Sequence, residues 1–188
     1  APPAGTATAT IEGNLTQGST GKSAQALVGT GTANARMNTG WATNMTTPWT
    51  IGFWLGPNQV DANPSYLFGD AGAGSFRAFY GGLGGPNTVM VRGGSADITI
   101  PNVNPAATFI TIVYNGTNTV VYLNGGSPQT FPVTFGANTG PGPFYVGGYS
   151  AAGAFSISGR MDEFAMYSRA LNASEVSALF ADCPGGGA

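Results

Sequence analysis

Between residues 49 and 158 the chain is cut into short apolar runs, each about one strand long and each bracketed by glycine, asparagine or proline. Residues 76–80, 88–92 and 97–100 follow one another with Gly81-Gly82, Gly84-Gly85-Pro86-Asn87 and Gly93-Gly94 at the turns. Such punctuation, every 8 to 12 residues or so, is that of an all-β sandwich. Trp49-Thr50-Ile51-Gly52-Phe53-Trp54-Leu55 puts Trp49, Ile51, Phe53 and Leu55 on one strand face and Thr50, Gly52 and Trp54 on the other. Large apolar groups on both faces predict a central strand. Gly56-Pro57-Asn58 is a turn, and residues 64–68 begin the next strand. Residues 109–114 and 119–123 form a hairpin around Asn115-Gly116, whose positive φ angles suit a tight turn, with Thr117-Asn118 lengthening the loop. Residues 131–135, 144–148 and 155–158 read as further strands, and residues 136–143 as a surface loop. Upstream, residues 6–12 alternate like an edge strand, residues 13–23 are polar and turn-rich, and residues 24–28 and 35–37 are short strands.

The stretch from Gly159 to Phe180 reads as a strand running straight into a short helix. Regular alternation puts Asp162, Phe164 and Met166 on the inward face and Met161, Glu163, Ala165 and Tyr167 on the other. Asn172 is placed to cap the helix, with Glu175 at the third helical position reaching back and Leu171 and Val176 forming a hydrophobic staple. Val176, Leu179 and Phe180 make one apolar stripe, so the helix must dock on something; Pro184 and the glycines after it end it.

Gly-x-Met-Asp-Glu-Phe-x-x-Tyr-x-Arg-Ala-Leu-x-x-x-Glu-Val, from Gly159 to Val176, resembles the closing motif of laminin-G-like domains of the concanavalin A-like lectin/glucanase superfamily. The runs from Trp49 to Leu55 and from Phe109 through Gly116 to Val121-Tyr122-Leu123-Asn124-Gly125 fit the same pattern in the same order. The resemblance implies a two-sheet antiparallel jelly-roll sandwich, here of about a dozen strands with one short C-terminal helix. It divides the chain into an N-terminal arm or edge strand over residues 1–23, a laminin-G-like jelly-roll domain over residues 24–183 and a flexible tail over residues 184–188. It does not by itself choose among lectins, adhesion modules, glycosidases and structural parts.

Composition narrows that choice. Charged residues make up 7% of the chain and the net charge is −2, with Lys22, Arg36, Arg77, Arg92, Arg160 and Arg169 widely scattered. No basic patch for nucleic acid follows from such a distribution. No apolar run approaches the roughly 20 residues of a membrane helix, so membrane insertion is not expected. The start at Ala1 without a methionine fits removal of a signal peptide or excision from a longer precursor, and the domain is expected to be secreted, at an extracellular, cell or virion surface. Cys183 is the single cysteine, which excludes an internal disulfide.

Catalysis of the kind that some of the superfamily perform needs two carboxylates facing one cleft about 5 Å apart. The paired-acid strand of those glycosidases, Glu-x-Asp-x-x-Glu, has no counterpart, and the chain has no histidine. The domain is therefore expected not to be an enzyme. Asp162, read as inward-facing, must be hydrogen-bonded or paired, either by loop amides or by an arginine such as Arg160. The resemblance adds a third role, as ligand to a structural calcium ion, with Glu12, Asp70 and Asp97 as conceivable helpers. Sugar rings lay their C–H faces on aromatic side chains, and Trp41, Tyr149, Tyr80 and Tyr66 are the candidate ligand-binding residues. Trp49 and Trp54, inside strands, are expected in the core. Two readings stand at this level: a binding or adhesion module for glycan or another surface polymer, and a self-assembling subunit of an extracellular filament, surface layer or viral particle whose partners are copies of itself.

Overall fold

The computed structural model describes residues 8–22, 25–46, 48–57, 64–70, 76–104, 106–149 and 155–182. Its fourteen strands are β1 (Thr10–Glu12), β2 (Thr16–Thr20), β3 (Gln25–Val28), β4 (Arg36–Met45), β5 (Trp49–Leu55), β6 (Ser65–Asp70), β7 (Arg77–Tyr80), β8 (Val89–Arg92), β9 (Ile98–Ile100), β10 (Thr108–Tyr114), β11 (Thr119–Leu123), β12 (Gln129–Phe131), β13 (Asn138–Val146) and β14 (Arg160–Tyr167). One helix, α1 (Ala173–Asp182), follows. The strands make two seven-stranded sheets: sheet A in the order β1-β4-β13-β6-β7-β8-β9, and sheet B in the order β12-β11-β10-β5-β14-β3-β2. Every named pairing is antiparallel. Cys183 and the tail over residues 184–188 lie outside the described residues.

The core lies between the sheets. From sheet B, Trp49, Ile51, Phe53 and Leu55 of β5 meet Phe68, Ala78, Tyr80, Val91 and Phe144 of sheet A. Trp49 packs edge-on against Phe76 and Phe135 at 5.4 and 5.3 Å, and Phe53 against Phe68 at 5.6 Å. Aromatic pairs in this geometry add about 0.5–1.5 kcal/mol each beyond the area they bury. The other face of β5 is buried as well, because α1 lies across it. Leu179 and Phe180 cover Trp54 and Phe109, while Val176 and Leu171 pack with Val113 and Tyr122. The gap at Gly52 lets the helix come close: a Cβ there would stand 3.4 Å from Leu179 and 3.3 Å from Phe109.

The cap forms as its sequence dictates. Glu175 N–H donates to Asn172 Oδ1 at 3.0 Å, and Asn172 N–H donates to Glu175 Oε2 at 2.9 Å. The link from β14 into the helix is pinned to the middle of sheet B by Thr50, whose hydroxyl donates to Arg169 O and accepts from Leu171 N–H.

Four stretches depart from the sequence reading. Residues 13–23, read as turns, hold β2 at the edge of sheet B. The short strand at 35–37 continues as far as Met45, and the stretch read as a surface loop over 136–143 is mostly strand β13, paired with β4. These two strands are rich in residues that avoid strands. They pair through two register shifts, with Gly40 at φ 68 and the Thr39 hydroxyl donating to Phe144 O. Irregularities of this kind hide a strand from alternation and propensity. Conversely, residues 132–135, read as strand, leave the sheet and send Val133 and Phe135 into the core.

Candidate functional site

Asp162 occupies a different face from the one that alternation gives it. Met161 pairs with Leu55 and Asp162 with Trp54, but the next register pair is Ala165 with Gly52. Three steps along β14 thus match two along β5, which is a β-bulge. The extra residue, Glu163, has φ 50. Met161 turns into the core, Asp162 stands beside Trp54 on the outer face of sheet B, and Phe164 and Met166 return inward. Asp162 is held there by amides: Lys22 N–H donates to Oδ2 at 2.5 Å and Glu163 N–H to Oδ1 at 2.9 Å. A Cβ on Gly21 would stand only 2.1 Å from Oδ2, so the turn approaches the carboxylate only because glycine is there. Of the roles open to Asp162, the structure shows the loop-amide one.

Among the described residues, the donor set around Asp162 does not fit calcium, which takes six to eight oxygens. It offers one carboxylate, both oxygens of which already accept N–H groups. The Thr20 carbonyl beside it accepts from Arg160 Nη1. Among the described residues no three of His, Cys, Asp and Glu come together. The conceivable helpers lie elsewhere: Glu12 pairs with Arg36, Asp97 with Arg92, and buried Asp70 accepts from Asn138 Nδ2.

Asp162 instead lines a pocket of about 290 Å³, with Lys22, Trp54, Gly56, Ala106 and Arg160 among its walls. Trp54 is 4% exposed, and its ring contacts Phe109 at 5.4 Å and Phe180 at 5.7 Å. Lys22 Nζ lies 4.3 Å from the ring centroid, a cation–π contact. The indole Nε1 is buried without a hydrogen-bond partner. Sequence alone expected Trp54 in the core; it is buried, but beneath the helix and not between the sheets.

The four aromatic candidates separate. Tyr80 is a correction: it is 0% exposed in the core between the sheets, with its hydroxyl reaching Asn87 Oδ1. Strand β7 turns Ala78 and Tyr80 inward and Arg77 and Phe79 outward. Trp41 belongs to β4, half-buried against the core and 5.9 Å from Phe144. Tyr66 and Tyr149 do come together, on the outer face of sheet A. Their rings stack at 5.3 Å with 14° between planes, and Tyr149 lies over Gly69, where a Cβ would be 2.3 Å from the ring.

Three arginines that no sequence motif singles out, Arg36, Arg77 and Arg92, lie on the same outer face as that stack. Arg77 lies 5.5 Å from the Tyr149 ring and Arg36 lies 4.5 Å from Tyr145. Arg92 pairs across from Arg77 in the register of β7 and β8. Alternate positions on neighbouring strands bring them to one face. Phe79, Met90, Tyr145 and Tyr149 form a buried layer, with Tyr66, Arg36, Arg77 and Arg92 half-buried above it. Arg36 also donates to Glu12 at 2.8 Å. The Asn38 amide and then the Arg36 guanidinium hold the Glu12 carboxyl below its ordinary range.

A laminin-G family model, described as concanavalin A-like lectin/glucanases superfamily, matches residues 29–177. The chain belongs to that superfamily. No curated protein matches it by sequence. Among solved structures, the laminin-G-like domain is similar to the binding domain of Paraclostridial Mosquitocidal Protein 1, at 17% identity and a TM-score of 0.64 over 93% of this chain and 47% of that one. It thus spans about half the length of that neighbour. Domain 4 of the extracellular arabinanase AbnA from Geobacillus stearothermophilus, solved with arabinotriose, matches at 21% identity and a TM-score of 0.63 over 91% of this chain and 87% of that one. A sialidase from Trypanosoma rangeli matches at 18% identity and 0.61 over 92% of this chain and 29% of that one. At such identities the likeness shows the fold. Within it, the closing motif is the segment that carries the bulge at Glu163, the Thr50 link and the capping box.

Proposed function

We propose that this laminin-G-like domain is a non-catalytic carbohydrate-binding module that works outside the cell and takes glycan on the outer face of sheet A. The observation that carries the reading is the Tyr66–Tyr149 stack with Arg77 beside it. Planar rings receive the C–H face of a pyranose or furanose, and guanidinium groups donate to its hydroxyls. Sheet B is closed to such a ligand across its middle by α1, which leaves sheet A as the broad face. Two solved neighbours support the reading: one is the arabinanase domain seen with arabinotriose, and another is a botulinum neurotoxin type C whose cell entry depends on two ganglioside molecules. The ion pairs of Glu12, Asp97 and Glu175 with arginines, and the amide clasp on Asp162, support a structural role for those acids.

The test is binding on a glycan array that includes arabino-oligosaccharides and sialylated gangliosides, followed by calorimetry on the best ligand. Tyr66→Ala is expected to weaken binding about tenfold, the factor that 1.4 kcal/mol carries, with the melting temperature little changed because Tyr66 is the outermost ring. Unchanged affinity in Tyr66→Ala and Arg77→Ala would move the site off this face. The self-assembly reading takes second place, since it needs complementary exposed apolar patches. Among the described residues Ile11, 42% exposed on edge strand β1, is the exposed large hydrophobic residue.

A further inference from the structure

We infer that the pocket beside Trp54 is a second saccharide site, separate from the face of sheet A, and that it takes one neutral sugar ring through two adjacent hydroxyls on the Asp162 carboxylate. The inference goes beyond the glycan reading of sheet A and does not depend on it, because the pocket shares no lining residue with the Tyr66–Tyr149 stack.

Size limits the ligand first. About 290 Å³ is roughly ten times a water molecule's share of liquid volume. That admits one sugar ring and excludes a folded chain or a large cofactor. Charge then turns the choice away from ions. Both cations in the wall are engaged already: Lys22 Nζ lies over the Trp54 ring, Arg160 Nη1 donates to Thr20 O, and each makes a further interaction. An anion finds no cation waiting for it, and a cation would have to settle beside two others. The capacity left over is that of an acceptor. A carboxylate has about four lone-pair positions; Lys22 N–H takes one on Oδ2 and Glu163 N–H one on Oδ1. About one position thus remains on each oxygen, and two neighbouring hydroxyls of one ring fill such a pair together. The Trp54 indole, part of the same wall, has the converse need, a buried N–H without an acceptor. A hydroxyl is the neutral group that both donates and accepts. Ala26, Leu55, Pro57, Ala106 and Ala107 complete the wall with apolar surface for the C–H groups of the ring. Much apolar lining with a few convergent polar groups is the make-up of small-ligand sites.

The carboxylate is held in place before any ligand arrives. The bulge at Glu163 turns Asp162 outward, and its two amide bonds fix both oxygens. Gly21 lets the turn bring the Lys22 amide onto Asp162, and at Gly56 a Cβ would stand 2.9 Å from Arg160 Cβ. Gly56 N–H also donates to Arg160 O, which fixes the start of β14 at the pocket rim. A fixed acceptor loses little freedom on binding.

Titration of the full chain with methyl galactoside, methyl glucoside and arabinose, followed by the indole N–H resonances, tests the assignment. The protein has three tryptophans and so three such signals, assigned with Trp54→Phe. Saturable binding of at least one of these sugars is expected, shifting the Trp54 signal and leaving those of Trp41 and Trp49 in place. Glucuronate is expected to bind no more tightly, and inorganic sulfate not to saturate. Ala106 and Ala107 are exposed in the wall, so Ala106→Leu and Ala107→Leu should fill the pocket and weaken binding about tenfold at an unchanged melting temperature. Asp162→Asn should weaken it as much in a protein that melts lower, and the two leucine variants separate loss of the site from loss of the fold. Tyr66→Ala should leave the Trp54 titration intact, whatever it does to binding on sheet A. If no neutral sugar saturates, if glucuronate or sulfate binds more tightly than every neutral sugar, or if both leucine variants bind as well as the parent, the assignment is overturned. Loss of the Trp54 shift through Tyr66→Ala would overturn it too, by placing the sugar on sheet A.

Discussion

Glu163 adopts a backbone conformation that costs a non-glycine residue roughly 1–2 kcal/mol, and by doing so turns Asp162 outward. The return on that strain is the pair of amide bonds to the Asp162 carboxylate, which tie the turn before β3 to the start of β14. Hydrogen bonds to a charged group contribute about 1.5–3 kcal/mol each, so Asp162→Ala is expected to lower stability by roughly 2–3 kcal/mol, read as the urea midpoint. Gly21→Ala should destabilise comparably, because its Cβ collides with the same carboxylate; a Gly21→Ala protein as stable as the parent would show that the clasp contributes little. None of this was legible in the residues. Alternation counts positions in twos, and a bulge removes one from the count without any sign in Asp162-Glu163 itself. Tyr66 and Tyr149, by contrast, were legible as aromatics fit for sugar, although the sequence held no hint that they stack on each other or that Arg77 would lie beside them.

Strand β5 and helix α1 announce themselves because each obeys a local rule. Apolar groups on both faces of residues 49–55 require burial on both sides, and the asparagine-to-glutamate spacing at 172–175 requires a cap. Strands β4 and β13 obey no local rule; they exist through pairing with each other across about a hundred residues of chain. For α1 the cap can be removed alone. Asn172→Ala is expected to cost about 1 kcal/mol, seen as a lower melting temperature, with Asn172→Asp restoring most of it. The cap also responds to acid. The hydrogen bond from Arg169, then the backbone N–H of Asn172, hold the Glu175 carboxyl below its ordinary value of 4.5. A depressed carboxyl stabilises the fold fully above its unfolded value and ceases to do so as pH falls through the folded one. Melting temperature should therefore decline below about pH 4.5, and Glu175→Gln should flatten that decline; an identical pH profile would exclude the cap as its source.

At the scale of the whole molecule, both sheets end in strands that make poor templates for a neighbour. Sheet A ends in β1 and β9 and sheet B in β12, each of three residues, and in β2 of five with Gly18 at φ 133. Short and irregular edges resist pairing between chains. Light scattering coupled to gel filtration is therefore expected to give the mass of one chain, and the same mass with EDTA as with added calcium. A defined oligomer would revive the assembly reading, and a loss of mass in EDTA would put a metal at its centre.

The position of β5 in sheet B has a consequence for how the polypeptide is made. Its neighbours are β10 and β14, and the second of these, with the helix that roofs it, is translated after every other strand of the sandwich. A ribosome that has released residues 1–158 has therefore exposed a central strand with one lateral partner missing and Trp54 and Phe109 bare. Folding cannot close until the final two elements emerge, and the gap between residues 49–55 and 160–167 makes that closure a long-range event. Nascent chains stalled just short of β14 are thus the species that chaperones must hold, and the emergence of residues 160–182 sets the moment at which the domain stops being sticky.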